Sequence, residues 1–175
     1  MNRPQSLLPP HRWAALLVCS ALAIAPTTRA EGPPALMNAE EAALADVATC
    51  AAAPIVPGEN DVAEKDAVLP AQRVALNLKP SGRKFYEPKE AMQLFGAPLR
   101  YYGPTGSGMA FGPNVTVEGA RDAVAARVTA YSGQTLQCEV GECRVKIGNQ
   151  AYLVVYTHPT KKQWTIVQCA YVVGR

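Results

Sequence analysis

The stretch CEVGEC, Cys138 to Cys143, constrains this chain more than any other. Val140-Gly141 reads as the two-residue turn of a β-hairpin. Glu139 and Glu142 then form the hydrogen-bonded closing pair. Cys138 faces Cys143 in the next, non-hydrogen-bonded pair, where side chains approach most closely. That spacing suits a disulfide across two strands, although two acids then oppose each other at the tip, a destabilising arrangement. Beyond the first thirty residues two further cysteines remain, Cys50 and Cys169. Four cysteines allow three connectivities; the hairpin favours Cys138–Cys143 and leaves Cys50–Cys169. The second bridge would tie an N-terminal segment to the last strand and close a long loop, where restriction of the unfolded chain is greatest. A zinc site is the sharper alternative, but the spacing is C-x4-C and no second pair or nearby histidine supports it.

Disulfides require an oxidising compartment, and the N-terminus reads as an export signal. Arg3, His11 and Arg12 form a basic start. The apolar run WAALLVCSALAIA, Trp13 to Ala25, is too short to span a bilayer as a stable helix. Thr28-Arg29-Ala30 supplies a small-x-small cleavage site, which predicts a mature chain starting at Glu31. Cys19 invites a lipoprotein reading, but Val18 is bulky where lipoprotein processing needs a small residue. The whole chain carries 17 Lys+Arg against 14 Asp+Glu. Three of the basic residues, Arg3, Arg12 and Arg29, belong to the leader, so the mature chain is balanced and nothing in its net charge points to nucleic acid or an anionic membrane. No second apolar run is long enough for a transmembrane anchor. The expected location is the periplasm or the exterior.

Three segments follow: residues 1–30 as signal peptide, 31–70 as an Ala/Pro-rich segment with a short helix and a linker, and 71–175 as the folded domain. In NAEEAALADVATC, Asn38 and Glu41 form the N-terminal box of a short helix. AAAPIVPGENDVAEKDAVLP reads as linker, and this region is expected to be loosely ordered apart from Cys50. RVALNL alternates, with Val74, Leu76 and Leu78 on one side, and reads as a strand. EPKEAMQLFGAP reads as a helix, with Pro88 in its first turn, Gly96 after its last apolar residue and Pro98 beyond. LRYY and NVTV read as strands. EGARDAVAARVTAYSG places Ala120, Val124, Val128 and Tyr131 at helical spacing and stops at Gly133; a strand through RVTAY is the competing reading. The C-terminal third is a meander of CRVKI, AYLVVYT and QWTIVQCAYVV. The parts define an α+β fold: two helices with an antiparallel sheet of about five to seven strands, ending in a β-meander. The joint EAMQLFGAP resembles the helix–Gly–x–Pro–strand joint of small outer-membrane assembly lipoproteins related to SmpA. The likeness covers about ten residues, a second helix after NVTV departs from that plan, and no function is carried across.

The chemistry-bearing motifs are few. YYGPTGSGMAFGP, residues 101–113, is glycine-rich, but Gly108 is followed by Met109 and Ala110 rather than by the lysine and hydroxyl of a phosphate loop. No helix follows to present its amides to a pyrophosphate. No cofactor is expected, and the loop reads as a β-connection or a recognition loop. His158 is the sole histidine of the mature chain and sits in a hairpin tip. With Ser107 and Asp122 it could serve a small hydrolase, but no G-x-S-x-G elbow is present. The paired acids Glu139/Glu142 and Glu87/Glu90 fall at a turn and a helix start, not in a dry cleft. In the last hairpin, pairing Tyr156 with Trp164 puts Tyr152, Val154, Tyr156, Trp164 and Ile166 on one face and Leu153, Val155, Thr165, Val167 and Cys169 on the other. Both faces are apolar: either both are covered, or the aromatic one, rimmed by Lys161 and Lys162, is a binding patch. Asn114 also begins the sequon NVT. The expectation is a non-catalytic binding module for a protein, peptide or glycan, working through a sheet face or the 103–114 loop. Its candidate contacts are Tyr101, Tyr102, Met109, Phe111, Tyr156 and Trp164. The rivals are the hydrolase and an envelope structural or assembly factor.

Overall fold

A computed structural model describes residues 37–57, 69–82, 84–105 and 111–171. The proposed leader, the linker core and Met109 lie outside them. The elements in chain order are α1 (Ala39–Ala48), α2 (Pro70–Asn77), β1 (Leu78–Pro80), β2 (Tyr86–Pro88), β3 (Gln93–Leu94), β4 (Ala97–Gly103), β5 (Asn114–Glu118), α3 (Arg121–Ser132), β6 (Gln137–Cys138), β7 (Glu142–Ile147), β8 (Ala151–Thr157) and β9 (Trp164–Tyr171). The fold is α+β, with three helices and nine strands among the described residues, more strands than the five to seven expected. The sheet order is β1-β2-β4-β5-β9-β8-β7-β6, with β3 pairing onto β4, and every pairing is antiparallel.

Alternation along the central strands decides what each face does. Leu153, Val155, Thr165, Val167 and Cys169 all point inward and are fully buried, as are Val115 and Val117. The aliphatic ones meet Leu44, Ala45, Val47 and Ala48 of α1, Val74 of α2, and Val124 and Val128 of α3 in one core. Tyr131 of α3 reaches across to α1, its Oη donating to Asp46 Oδ1 at 2.6 Å, so α1 and α3 lie on the same side of the sheet. Burial and Asp46 both push the Tyr131 phenol pKa up.

Both disulfides form as the sequence suggests. Cys138 pairs with Cys143 across β6–β7, and the Glu139 amide donates to Glu142 O at 2.9 Å to close the turn. Cys50, just beyond α1, joins Cys169 on the inner side of β9. The capping box of α1 is present: Asn38 Oδ1 accepts from the Glu41 amide at 2.8 Å, and Glu41 Oε2 accepts from the Asn38 amide at 3.1 Å. The helix is nevertheless no loose appendage, because its apolar side is part of the core. The helix at 121–132 ends on Gly133 in the left-handed region, φ +68°.

Two assignments are reversed. RVALNL lies in α2, not in a strand, up to Asn77. Pro70 stands in its first turn and the Leu69 amide donates to Gln72 Oε1 at 3.0 Å. Val74 and Leu78 are four apart as well as even-spaced, so six residues fit either period. EPKEAMQLFGAP contains no helix: it holds part of β2, then β3 and the turn into β4. Phe95 (φ +51°) and Gly96 (φ +64°) both take left-handed backbone, the conformation of a two-residue I′ hairpin turn. The glycine expected to end a helix therefore turns a hairpin. Phe95 is held there by burial, by an edge contact to Tyr131 at 5.8 Å, and by Arg127 Nη1, which donates to Phe95 O and Gly96 O at 3.1 and 2.7 Å. The resemblance resting on that helix lapses with it. The last hairpin is also shifted by two: Tyr156 pairs with Ile166, not Trp164. The His158 amide donates to Trp164 O at 2.9 Å, which lengthens the strands into the turn. A shift of two preserves the side-chain parity, so the expected face memberships stand.

Candidate functional site

With the helices on one side, the other side of β4, β5, β9 and β8 is left to its own side chains. A single cross-strand row runs Tyr101, Thr116, Ile166, Tyr156. The next row places Gly103, Asn114 and Gln168 side by side. Tyr101 and Tyr156 stand as two walls, and Thr116 and Ile166 form the floor between them. Phe85 closes one end with Ser81, and His158 with Pro159 closes the other, around a pocket of about 270 Å³. Phe85 packs edge-on to Tyr101 with centroids 6.4 Å apart.

A bulge in β4 selects which tyrosine joins this face. The register slips between Leu99 and Tyr101, so Leu99 and Tyr102, three apart, both point inward. Tyr102 is therefore no surface contact. It is fully buried, its Oη accepting from the Ile55 amide at 2.9 Å and donating to Ile55 O at 2.8 Å. Burial raises its pKa. Tyr102 pins the segment after Cys50 to the sheet.

Trp164 stands beside the pocket and braces its walls. Its ring lies 5.8 Å from Tyr101 and 5.7 Å, edge-on, from His158. Lys161 Nζ sits 4.2 Å from the indole centroid, and Arg100, ion-paired with Glu118, lies 6.0 Å from it. Phe111 belongs elsewhere. It is 55% exposed and bridges Tyr171 at the far end of β9, roughly 20 Å from Trp164 at about 3.3 Å per residue. Of the six candidate contacts, then, Tyr101 and Tyr156 line the pocket, Trp164 supports it, Tyr102 is core, Phe111 is remote and Met109 lies outside the described residues.

His158 is fixed rather than freely solvated. Its Nδ1 accepts from the amides of Thr160 and Lys161 at 3.3 and 3.2 Å, so the ring proton of the neutral form sits on Nε2. Burial and then the Lys161 ammonium lower its pKa. That tautomer has no Nδ1–H to offer a carboxylate, which removes the hydrogen bond a Ser–His–Asp arrangement needs. Asp122 instead accepts from its neighbour Arg121 at 2.8 Å, and Ser107 lies outside the described residues. Tyr156 Oη donates to Gln168 Oε1 at 3.2 Å; burial, then Glu142, raises its pKa. Glu139 and Glu142 flank the exposed hairpin tip, and Glu87 ion-pairs with Lys79 at 3.3 Å. Neither pair of acids forms a cleft. Among the described residues no three metal-ligating side chains converge.

Sequence reasoning passed over Phe85, Asn114, Thr116 and His158 as pocket residues. The polar–apolar alternation of NVTV held the signal for two of them, since Asn114 and Thr116 share a face opposite Val115 and Val117. The same placement disposes of the sequon: Asn114 and Thr116 are 4% and 3% exposed in a central strand, where an oligosaccharide cannot be attached to the folded chain. Gly103 makes room beside them; a Cβ there would lie 2.9 Å from Asn114 Nδ2 and 3.2 Å from Phe85 Cδ1.

The chain matches no protein-family model, no curated protein and no solved structure. Two disulfides fit a protein of an extracellular or periplasmic compartment. Among the described residues no helix is long and apolar enough to cross a membrane.

Proposed function

We propose that this chain is an exported, non-catalytic binding module whose working surface is the helix-free face of the sheet. One observation carries this reading: aromatic side chains from three separate parts of the chain, Phe85, Tyr101 and Tyr156, converge with His158 around a pocket. Aromatic walls with a few fixed polar groups are the general composition of ligand pockets. The sheet face is favoured over the 103–114 loop because Phe111, the loop's one described aromatic candidate, is far from that convergence. Export by cleavage after Ala30 belongs to the same reading.

The experiment expresses the full chain with its leader. Mass spectrometry of the exported product should give Glu31 as the first residue. That product and its Tyr101→Ala/Tyr156→Ala variant are then applied to peptide and glycan arrays. The reading expects signals present with the parent and lost with the variant. Identical array profiles for two folded proteins would overturn it.

A further inference from the structure

The pocket's chemistry narrows its ligand. Its lining contains no Asp, Glu, Lys or Arg, so an ionic ligand would be desolvated there without a counter-charge. Charges near the pocket are engaged: Arg100 with Glu118, Lys161 over the face of Trp164, and Glu142, opposite Tyr156 on β7, with Arg144 at 3.4 Å. His158, the one titratable base in the lining, uses Nδ1 to accept turn amides, and burial and then Lys161 lower its pKa. Uncharged polar groups nonetheless stand among the aromatic and aliphatic ones. Thr116 and Ser81 bring hydroxyls, and Asn114 brings an amide that both donates and accepts. A purely hydrocarbon ligand would cover these groups without pairing them, and a proline-rich segment, which brings carbonyl acceptors but no donor, would pair their donors and leave the Asn114 Oδ1 without one. The volume, about 270 Å³, lies below the roughly 300–1,000 Å³ of drug-sized sites and suits one or two ring-sized groups.

We infer that the pocket between Tyr101 and Tyr156 binds an uncharged sugar residue of a glycan, with a C–H face of the sugar against the tyrosine rings and its hydroxyls on Thr116 and Asn114. A pyranose has both requirements in one ring: an apolar face to lie on an aromatic side chain, and vicinal hydroxyls that each donate and accept. The inference rests on the helix-free face being the binding surface, and the test separates the two.

The full-length exported protein is titrated with maltotriose, cellotriose and chitotriose, and with 6′-sialyllactose and decaproline as charged and proline-rich comparators, following intrinsic fluorescence. At least one neutral trisaccharide is expected to saturate the signal. Thr116→Val, which keeps the side-chain shape on β5, should weaken it by roughly tenfold, the loss of one buried hydrogen bond. Tyr101→Phe should stay within about threefold of the parent, because the ring that packs on the sugar is retained, whereas Tyr101→Ala should lose more than about tenfold. Circular dichroism checks that each variant is folded, and Thr116→Val serves if Tyr101→Ala is not. Binding of decaproline or sialyllactose that depends on Tyr101, with no trisaccharide bound, would overturn the sugar assignment and leave the binding face standing. Trisaccharide binding unaffected by any of these variants would overturn the pocket itself. No binding by any of the three neutral sugars would overturn the sugar assignment.

Discussion

The two faces of the central strands are built from the same segments and serve opposite ends. On β8 and β9, Leu153, Val155, Val167 and Cys169 are sealed beneath the helices, while their neighbours Tyr152, Val154, Tyr156, Trp164 and Ile166 are only half-buried. The inner side carries aliphatic residues and the end of a disulfide. The outer side carries rings, hydroxyls and amides. An aliphatic face packs tightly and has little means of orienting a ligand; an aromatic and polar face can do both. The difference teaches that an apolar strand face need not be a core face, and that its chemistry, not its hydropathy, separates packing from recognition.

The largest effect should come from the inner side's covalent tie. Replacing Cys50 and Cys169 by alanine frees a loop of sequence separation 119 and should cost about 5 kcal/mol on the chain-entropy relation; removing Cys138–Cys143, separation 5, should cost about 2. Urea unfolding of the two double variants measures both, and equal losses would break the expected order. Leu153→Ala should follow, at about 3 kcal/mol, against roughly 1 kcal/mol for its half-buried neighbour Val154→Ala. Similar losses at the two positions would dissolve the contrast between the faces.

Two glycines extend the contrast. At Gly112, φ is +122° and a Cβ would lie 1.9 Å from the carbonyl oxygen of Cys169. Gly112→Ala should destabilise by about 3 kcal/mol, since neither backbone can give way cheaply. Gly103 faces side-chain atoms of Asn114 and Phe85 rather than backbone. Gly103→Ala should cost under about 1 kcal/mol while narrowing the pocket. Paired denaturation curves decide this. The smallest effect is one of pH. The folded-state pKa of His158 lies below the ordinary imidazole value of 6.5, so the unfolded chain binds the proton more readily. This contribution is full above about pH 6.5 and fades as pH falls through the folded value. Stability curves from pH 7.5 to 5 should decline less for His158→Gln than for the parent.

Much of this architecture was legible in the chain, and the failures have local causes. The meander, both disulfides, the capping box at Asn38 and the helix stop at Gly133 rest on spacings that favour one solution over its rivals. RVALNL and EAMQLFGAP misled because short runs satisfy two periods, and because a glycine after an apolar residue serves a helix end or a hairpin turn equally well. The choice between them was tertiary: Tyr131 and Arg127, more than thirty residues downstream, hold Phe95 in its turn. The pocket was half legible. Tyr101 and Tyr156 stand out as aromatics, but telling Tyr101 from Tyr102 needs the bulge at Leu99–Tyr101, and that is fixed by pairing with β5. Phe85 and His158 arrive from turns whose approach to the sheet is not encoded in any local pattern.

The claim that recognition belongs to the helix-free face is tested most directly by mapping chemical shifts of the isotopically labelled protein as the trisaccharide that binds is added. The account predicts perturbations concentrated at Tyr101, Thr116, Tyr156, His158 and Ile166, with Leu153, Val155 and Val128 unmoved. Perturbations centred on α1 and α3, or on Phe111 and Tyr171 with the Tyr101–Tyr156 row silent, would contradict it.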